Sequence, residues 1–215
     1  MRSAIHAAFF AATTIFLGLG STVATADEII APVQARWAEI KYRLPAKEQP
    51  ERYHELAEQA HRISKAHPNH APALIWEGIV LSSEAGAKGG LGGLSLAKDA
   101  RALLEESLKL DENALNGSAY TSLATLYAKV PGWPLGFGDE EQAERLFLKA
   151  LVLNPEGIDP NFFYGEYLYD NGHLQDAKVY LEKALAAAPR PGRELADAGR
   201  REEARALLAR IARED

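Results

Sequence analysis

Five histidines follow residue 26: His54, His61, His67, His70 and His173. His54, Glu58 and His61 stand at i, i+4 and i+7. A helix would bring them to one face, where two imidazoles and a carboxylate make a zinc-type ligand set. Glu58 occupies the place where the H-E-x-x-H pattern needs its own histidine. That face also lies opposite Leu56, Ala60 and Ile63, where solvated charges normally fall, so no metal site is expected. His67 and His70 flank Pro68-Asn69, a turn, and are expected to face water. The acidic runs Glu105-Glu106, Asp139-Glu140-Glu141 and Glu202-Glu203 fall at helix starts or outer faces. Asp139 reads as an N-cap, with the acids after it favoured by the helix dipole. The glycine-rich stretches contain neither G-x-x-x-x-G-K-[ST] nor a G-x-G-x-x-G that opens a helix after a strand. No Ser/His/Asp set can be assembled from spacing alone. Neither an enzyme nor a cofactor is expected.

The elements that must position these residues are helical, and the composition sets their context. The chain has 215 residues, 47% of them apolar and 25% charged, which suits a folded protein rather than a disordered one. Lys plus Arg number 24 against 30 Asp plus Glu, a net charge of −6 that gives no electrostatic footprint for nucleic acid or anionic lipid. Cysteine is absent. Disulfides, thiolate metal sites, cysteine nucleophiles and a lipid-bearing cysteine are thereby excluded. Residues 1–26 read as a secretory signal peptide: Arg2, an uncharged apolar run from Ala4 to Gly20, and Ala24-Thr25-Ala26 as the cleavage site. An uncleaved anchor is the other reading of the same run. An exported cysteine-free domain suits a bacterial periplasm better than an oxidising eukaryotic lumen.

A repeat runs through the rest. Ala143, Phe147, Ala150 and Pro155 have offsets 0, 4, 7 and 12, and Ala177, Leu181, Ala184 and Pro189 repeat them 34 residues later. The spacing recurs at Ala100, Leu104, Ser107 and Glu112, and more weakly at Leu56, Ala60, Ile63 and Pro68. Apolar residues at i, i+4 and i+7 make one helical face, and a proline five residues on ends the helix. A partner helix precedes each: Tyr164, Gly165 and Leu168 before the turn at Gly172, Leu123, Ala124 and Tyr127 one repeat earlier, Gly78 and Leu81 before that. This pattern resembles the tetratricopeptide repeat, over about residues 50–213. The resemblance implies an all-α, right-handed solenoid of helical hairpins as a single unit over 27–215. Repeats fall at about 71–112, 116–155 and 158–191, between an N-terminal cap at 32–68 and a C-terminal cap at 192–213. Val33, Trp37, Ile40 and Leu44 mark the first cap helix. Gly199, Ala204 and Leu208 mark the last repeat, its first helix shortened to about 192–198. Arg200, Arg201, Glu202, Glu203 and Arg205 suit a polar outer face there.

Two joints carry extra residues, 87–94 and 128–138, which are expected as loops on one side of the stack. They hold Leu91, Leu94, Trp133, Leu135 and Phe137. Such residues either anchor a partner or fold back over helix ends. The resemblance places Ile75, Ile79, Ser82 and Ser83, then Ser118, Thr121, Thr125 and Lys129, then Phe162, Glu166, Tyr169 and Asp170 along the inner groove. This set lacks the Lys/Asn/Arg clamp for a peptide carboxylate. It suits a helix or extended peptide with apolar anchors and basic residues, unless the chain's own C-terminal helix fills the groove. The function expected is a periplasmic binding or scaffold module for a protein or peptide partner. A weaker resemblance, to the T-component of TRAP transporters, implies a role in periplasmic solute uptake beside a substrate-binding protein.

Overall fold

The computed structural model describes residues 26–214, with side chains from residue 28. The expected signal peptide lies outside them but for Ala26, where the first helix begins. The described chain is all-α. Its helices are α1 (Ala26–Arg43), α2 (Gln49–Ala66), α3 (Ala71–Lys88), α4 (Gly90–Leu110), α5 (Ser118–Lys129), α6 (Glu140–Leu153), α7 (Ile158–Asp170), α8 (Leu174–Ala186) and α9 (Glu194–Glu214). None is long and apolar enough to cross a membrane.

Local chemistry sets the helix starts. Asp139 Oδ1 accepts from Gln142 N at 2.9 Å and caps α6. His70, rather than facing water, accepts from Ala73 N at 3.2 Å and caps α3. Burial and the neighbouring His67 push its imidazole pKa down.

Consecutive helices pack as hairpins, most extensively α3 on α4 and α7 on α8. Ala100, Leu104 and Ser107 on α4, Ala143, Phe147 and Ala150 on α6, and Ala177, Leu181 and Ala184 on α8 are all buried. A small residue on the preceding helix admits the large one. A Cβ on Gly78 would stand 2.8 Å from Leu104 Cγ, and one on Gly165 2.9 Å from Leu181 Cγ. Ala124 holds the equivalent place before Phe147, and both lie in one apolar cluster. That cluster continues through Tyr127 and Leu146 into the α3–α5 core. The α3–α5 core in turn shares Ile79 and Leu81 with the α1–α3 core.

Three expectations are corrected. The extra residues at 87–94 form no loop: they extend α3 and α4, which meet at Gly89 with φ +64°. The C-terminal cap is one continuous helix, α9, in place of a short helix at 192–198 and a second one. Its inward residues are Ala204, Leu207 and Ile211, with Leu208 only half-buried. Nor is its charged run wholly external, because Arg200 is buried. The reason is that α9 returns to α1: Gly199 lies against the Tyr42 ring, and Ala196 joins the N-terminal core.

His54 and His61 do not converge with Glu58. They cross to α3, where His54 Nδ1 lies 3.0 Å from Glu84 and His61 Nδ1 2.8 Å from Glu77. Among the described residues no group of three or more His, Cys, Asp or Glu is arranged to hold a metal. Glu77 is buried and its second oxygen accepts from Ser64 Oγ. Ser64→Ala strips a buried carboxylate of one donor and is expected to cost about 1–3 kcal/mol in urea unfolding. A loss below the error of that measurement would mean that Glu77 does not depend on the bond.

Candidate functional site

The first helix of each hairpin turns one face to a shared concavity of about 1470 Å³. On α3 that face is Ile79, Ser82, Ser83 and Gly86; on α5 it is Ser118, Thr121, Ser122 and Thr125; on α7 it is Asp159, Phe162, Phe163 and Glu166. Each set runs i, i+3, i+4, i+7, one stripe of an α-helix. Trp37 of α1 and Trp76 of α3 close one end, edge to face at 6.0 Å. The helix α9 supplies a wall through Arg200, Glu203 and Arg210 and leaves the space open.

Three of the serine and threonine hydroxyls of this lining are committed. Ser82 donates to Gly78 O at 2.7 Å, Ser83 to Ile79 O at 2.9 Å and Thr125 to Thr121 O at 2.9 Å. Ser83 Oγ also accepts from Trp37 Nε1 at 2.8 Å. With their protons on backbone carbonyls, these groups offer lone pairs to a ligand.

Of the expected groove residues, Ile79, Thr121, Thr125, Phe162 and Glu166 line the concavity. Ile75 does not: it is fully buried in the α3–α5 core. Tyr169 and Asp170 fall outside the lining, at the end of α7. Tyr169 donates to Glu214 at 2.7 Å, and Asp170 takes Lys129 Nζ at 2.6 Å. The five apolar residues of the two joints divide. Leu91, Leu94 and Leu135 border the concavity. Leu91, Trp133 and Leu135 are 86%, 90% and 71% exposed. Phe137 instead folds back, edge-on to Tyr127 at 5.5 Å and under the Arg101 guanidinium at 4.5 Å.

Residues 130–139 form an ordered loop, with a cis Trp133–Pro134 bond and backbone hydrogen bonds from Gly138 to Pro131 and from Gly136 to Gly132. A Cβ on Gly136 would lie 3.2 Å from Leu94 Cδ1, so the loop sits against the start of α4. Together they make an apolar lip beside the opening.

The far wall is charged. Six cationic side chains line the concavity, Lys41, Lys129, Arg190, Arg193, Arg200 and Arg210, against three carboxylates, Asp159, Glu166 and Glu203. Asp159 takes Arg190 at 2.6 Å and Arg200 at 3.0 Å. Burial alone would raise its pKa, but the two guanidinium groups outweigh it and hold the carboxyl well below the usual carboxylate range. Arg200 reaches Glu203 at 2.6 Å and stacks over Phe162 and Phe163. Arg190 is shared with buried Asp197. Tyr42 donates to Glu203, and burial raises its phenol pKa far above the ordinary value.

Sequence spacing did not reveal Trp37, Tyr53, Trp76, Arg190, Arg193 and Arg200 as lining residues. The one available signal was two arginines in the Pro189–Arg193 linker, a place where charge ordinarily faces water. No protein-family model matches the sequence, and no curated protein matches it.

Proposed function

We propose that the protein is an exported helical-repeat binding module of tetratricopeptide type, non-enzymatic and periplasmic, which engages a protein or peptide partner at the mouth of its concavity. The observation that carries this reading is the lip. Leu91, Trp133 and Leu135 project from an ordered loop and a helix start, side by side with an open concavity. A large aromatic held by a rigid frame is the type of residue that dominates interfaces, because little entropy is lost when it docks. A repeat array that presents extended inner faces supplies the adjoining surface.

The test is affinity purification from the host's envelope fraction with the native chain and with a Trp133→Ser/Leu135→Ser double variant. Both residues are exposed, so thermal stability should stay within about 0.5 kcal/mol of the native value. A partner recovered in near-equal amount with the native chain and lost with the folded variant supports the reading. Equal recovery on both overturns the role of the lip.

A second reading has its own observation, the concavity itself. Its size and mixed lining suit solute handling of the kind the T-component resemblance implies. In that case the native chain leaves the envelope with a small molecule retained and no protein partner.

A further inference from the structure

We propose that the concavity binds a small amphipathic carboxylate, with its anionic head at Arg193 and the Tyr53 hydroxyl and its apolar body along Trp37 and Trp76. This assignment rests on the concavity being a binding surface and is independent of any partner at the lip.

The charge balance of the lining is the first ground. A chain of net charge −6 surrounds this space with twice as many cations as carboxylates. Most of those cations are spent: Arg190, Arg200, Lys41 and Lys129 each hold a carboxylate within 3.3 Å. Arg210 makes no such pair among the described residues but is exposed; Arg193 is different. Its guanidinium lies over the Trp76 ring at 4.9 Å, and its buried Nε has no hydrogen-bond acceptor. It makes no ion pair with a described carboxylate. Burial and the neighbouring Arg190 push its pKa down, against the opposite pull of Asp159 and Asp197.

Tyr53 is the second, independent ground. Its side chain is 1% exposed, it lines the same concavity, and its hydroxyl has no partner. A buried hydroxyl left unpaired costs stability, and a ligand oxygen would recover that cost. Tyr53 packs in one cluster with Trp37 and Trp76, and Arg193 lies over the Trp76 ring, so both groups stand at the same end of the space. An arginine that is stacked on an indole keeps its N–H edge free for a carboxylate. The two indoles and Ile79 give that end its apolar surface. A head that needs two donors and a body that needs hydrocarbon or aromatic contact define the ligand class. The space exceeds the roughly 300–1,000 Å³ of ordinary small-molecule pockets, so size does not restrict the body to a short chain.

The test is titration calorimetry of the full chain with indole-3-butyrate and with octanoate, each beside its primary amide. The amide keeps the body and removes the charge. We expect at least one carboxylate to bind tenfold or more tighter than its amide. Arg193→Met should abolish that preference, and Arg205→Met, at an exposed arginine outside the lining, should leave it intact. Tyr53→Phe should weaken the carboxylate severalfold while the melting temperature holds or rises, an outcome that a purely structural role would reverse. Should neither carboxylate bind better than its amide, or should folded Arg193→Met keep the preference, the assignment falls. The single lip variant Trp133→Ser, at a residue outside the lining, should bind the carboxylate like the native chain. Loss of partner capture with ligand binding kept, or the converse, therefore tells which of the two surfaces has been misread.

Discussion

Arg200→Ala should lower the stability of the protein by about 3–5 kcal/mol, the cost of removing one partner from a buried charge cluster. Arg200 is buried on α9, bonds Asp159 at 3.0 Å and Glu203 at 2.6 Å, and lies over two phenylalanine rings. Its loss leaves Asp159 with Arg190 alone and leaves Glu203 facing Tyr42 and Lys41. Urea unfolding reads the change. Arg205→Ala, at an exposed pair with Glu202, is the control and should stay within about 0.5 kcal/mol. Arg200→Lys should recover only part of the loss, because one ammonium lacks the planar fork that bonds two carboxylates while it stacks on a ring.

The same cluster predicts an acid sensitivity of known sign. The Asp159 carboxyl titrates lower in the folded protein than in the unfolded chain. Its contribution is therefore present above the unfolded value, about pH 4, and is lost as the pH falls below that toward the folded one. Stability measured from pH 6 to pH 2 should fall more steeply in the native protein than in Arg200→Ala, where the main cause of the depression is gone. Parallel curves would show that Asp159 does not feel Arg200.

The helical hairpins were readable because each is written locally. A triad such as Ala177, Leu181 and Ala184 and the glycine that faces it, Gly165, lie within twenty residues and follow one period. The N-cap at Asp139 needed only the three residues after it. The closing seam has no such local record. Asp159 meets Arg200 across 41 residues, and Tyr42 meets Glu203 across 161. Seen along the helix, Arg200 stands among Arg201, Glu202 and Glu203, a composition that ordinarily marks an outer face. Only the return of α9 to α1 buries it. The extra residues at 87–94 misled for a different reason. Four glycines in that stretch suggest a loop, yet φ is positive only at Gly89 and Gly90, and Gly93 is needed where α4 runs close to Ala85 O. Ile75 was placed in the groove by family position. Because α3 has neighbours on both sides, that position is core here.

Phe147→Ala should cost about 3–5 kcal/mol, the loss expected when a buried ring leaves a cavity that its neighbours cannot fill. Phe147 is buried on α6 and touches Tyr164 and Tyr167 of α7 at 5.8 and 5.4 Å between ring centres. Ala143 and Ala150 flank it without side chains long enough to collapse inward. How the protein then unfolds is the more informative result. In an open array each repeat touches only its neighbours, and a lesion in α6 would melt the C-terminal half first. Here α9 carries Leu195 and Ala196 into the N-terminal core beside Trp37 and Trp76. The halves should therefore unfold together. In a Trp133→Phe background the two remaining indoles report on the N-terminal core alone, and circular dichroism reports on every helix. Coincident midpoints are expected for Phe147→Ala, and separated ones once Arg200→Ala is added. Separation in Phe147→Ala alone would mean that the contact between α9 and α1 is too weak to couple the ends.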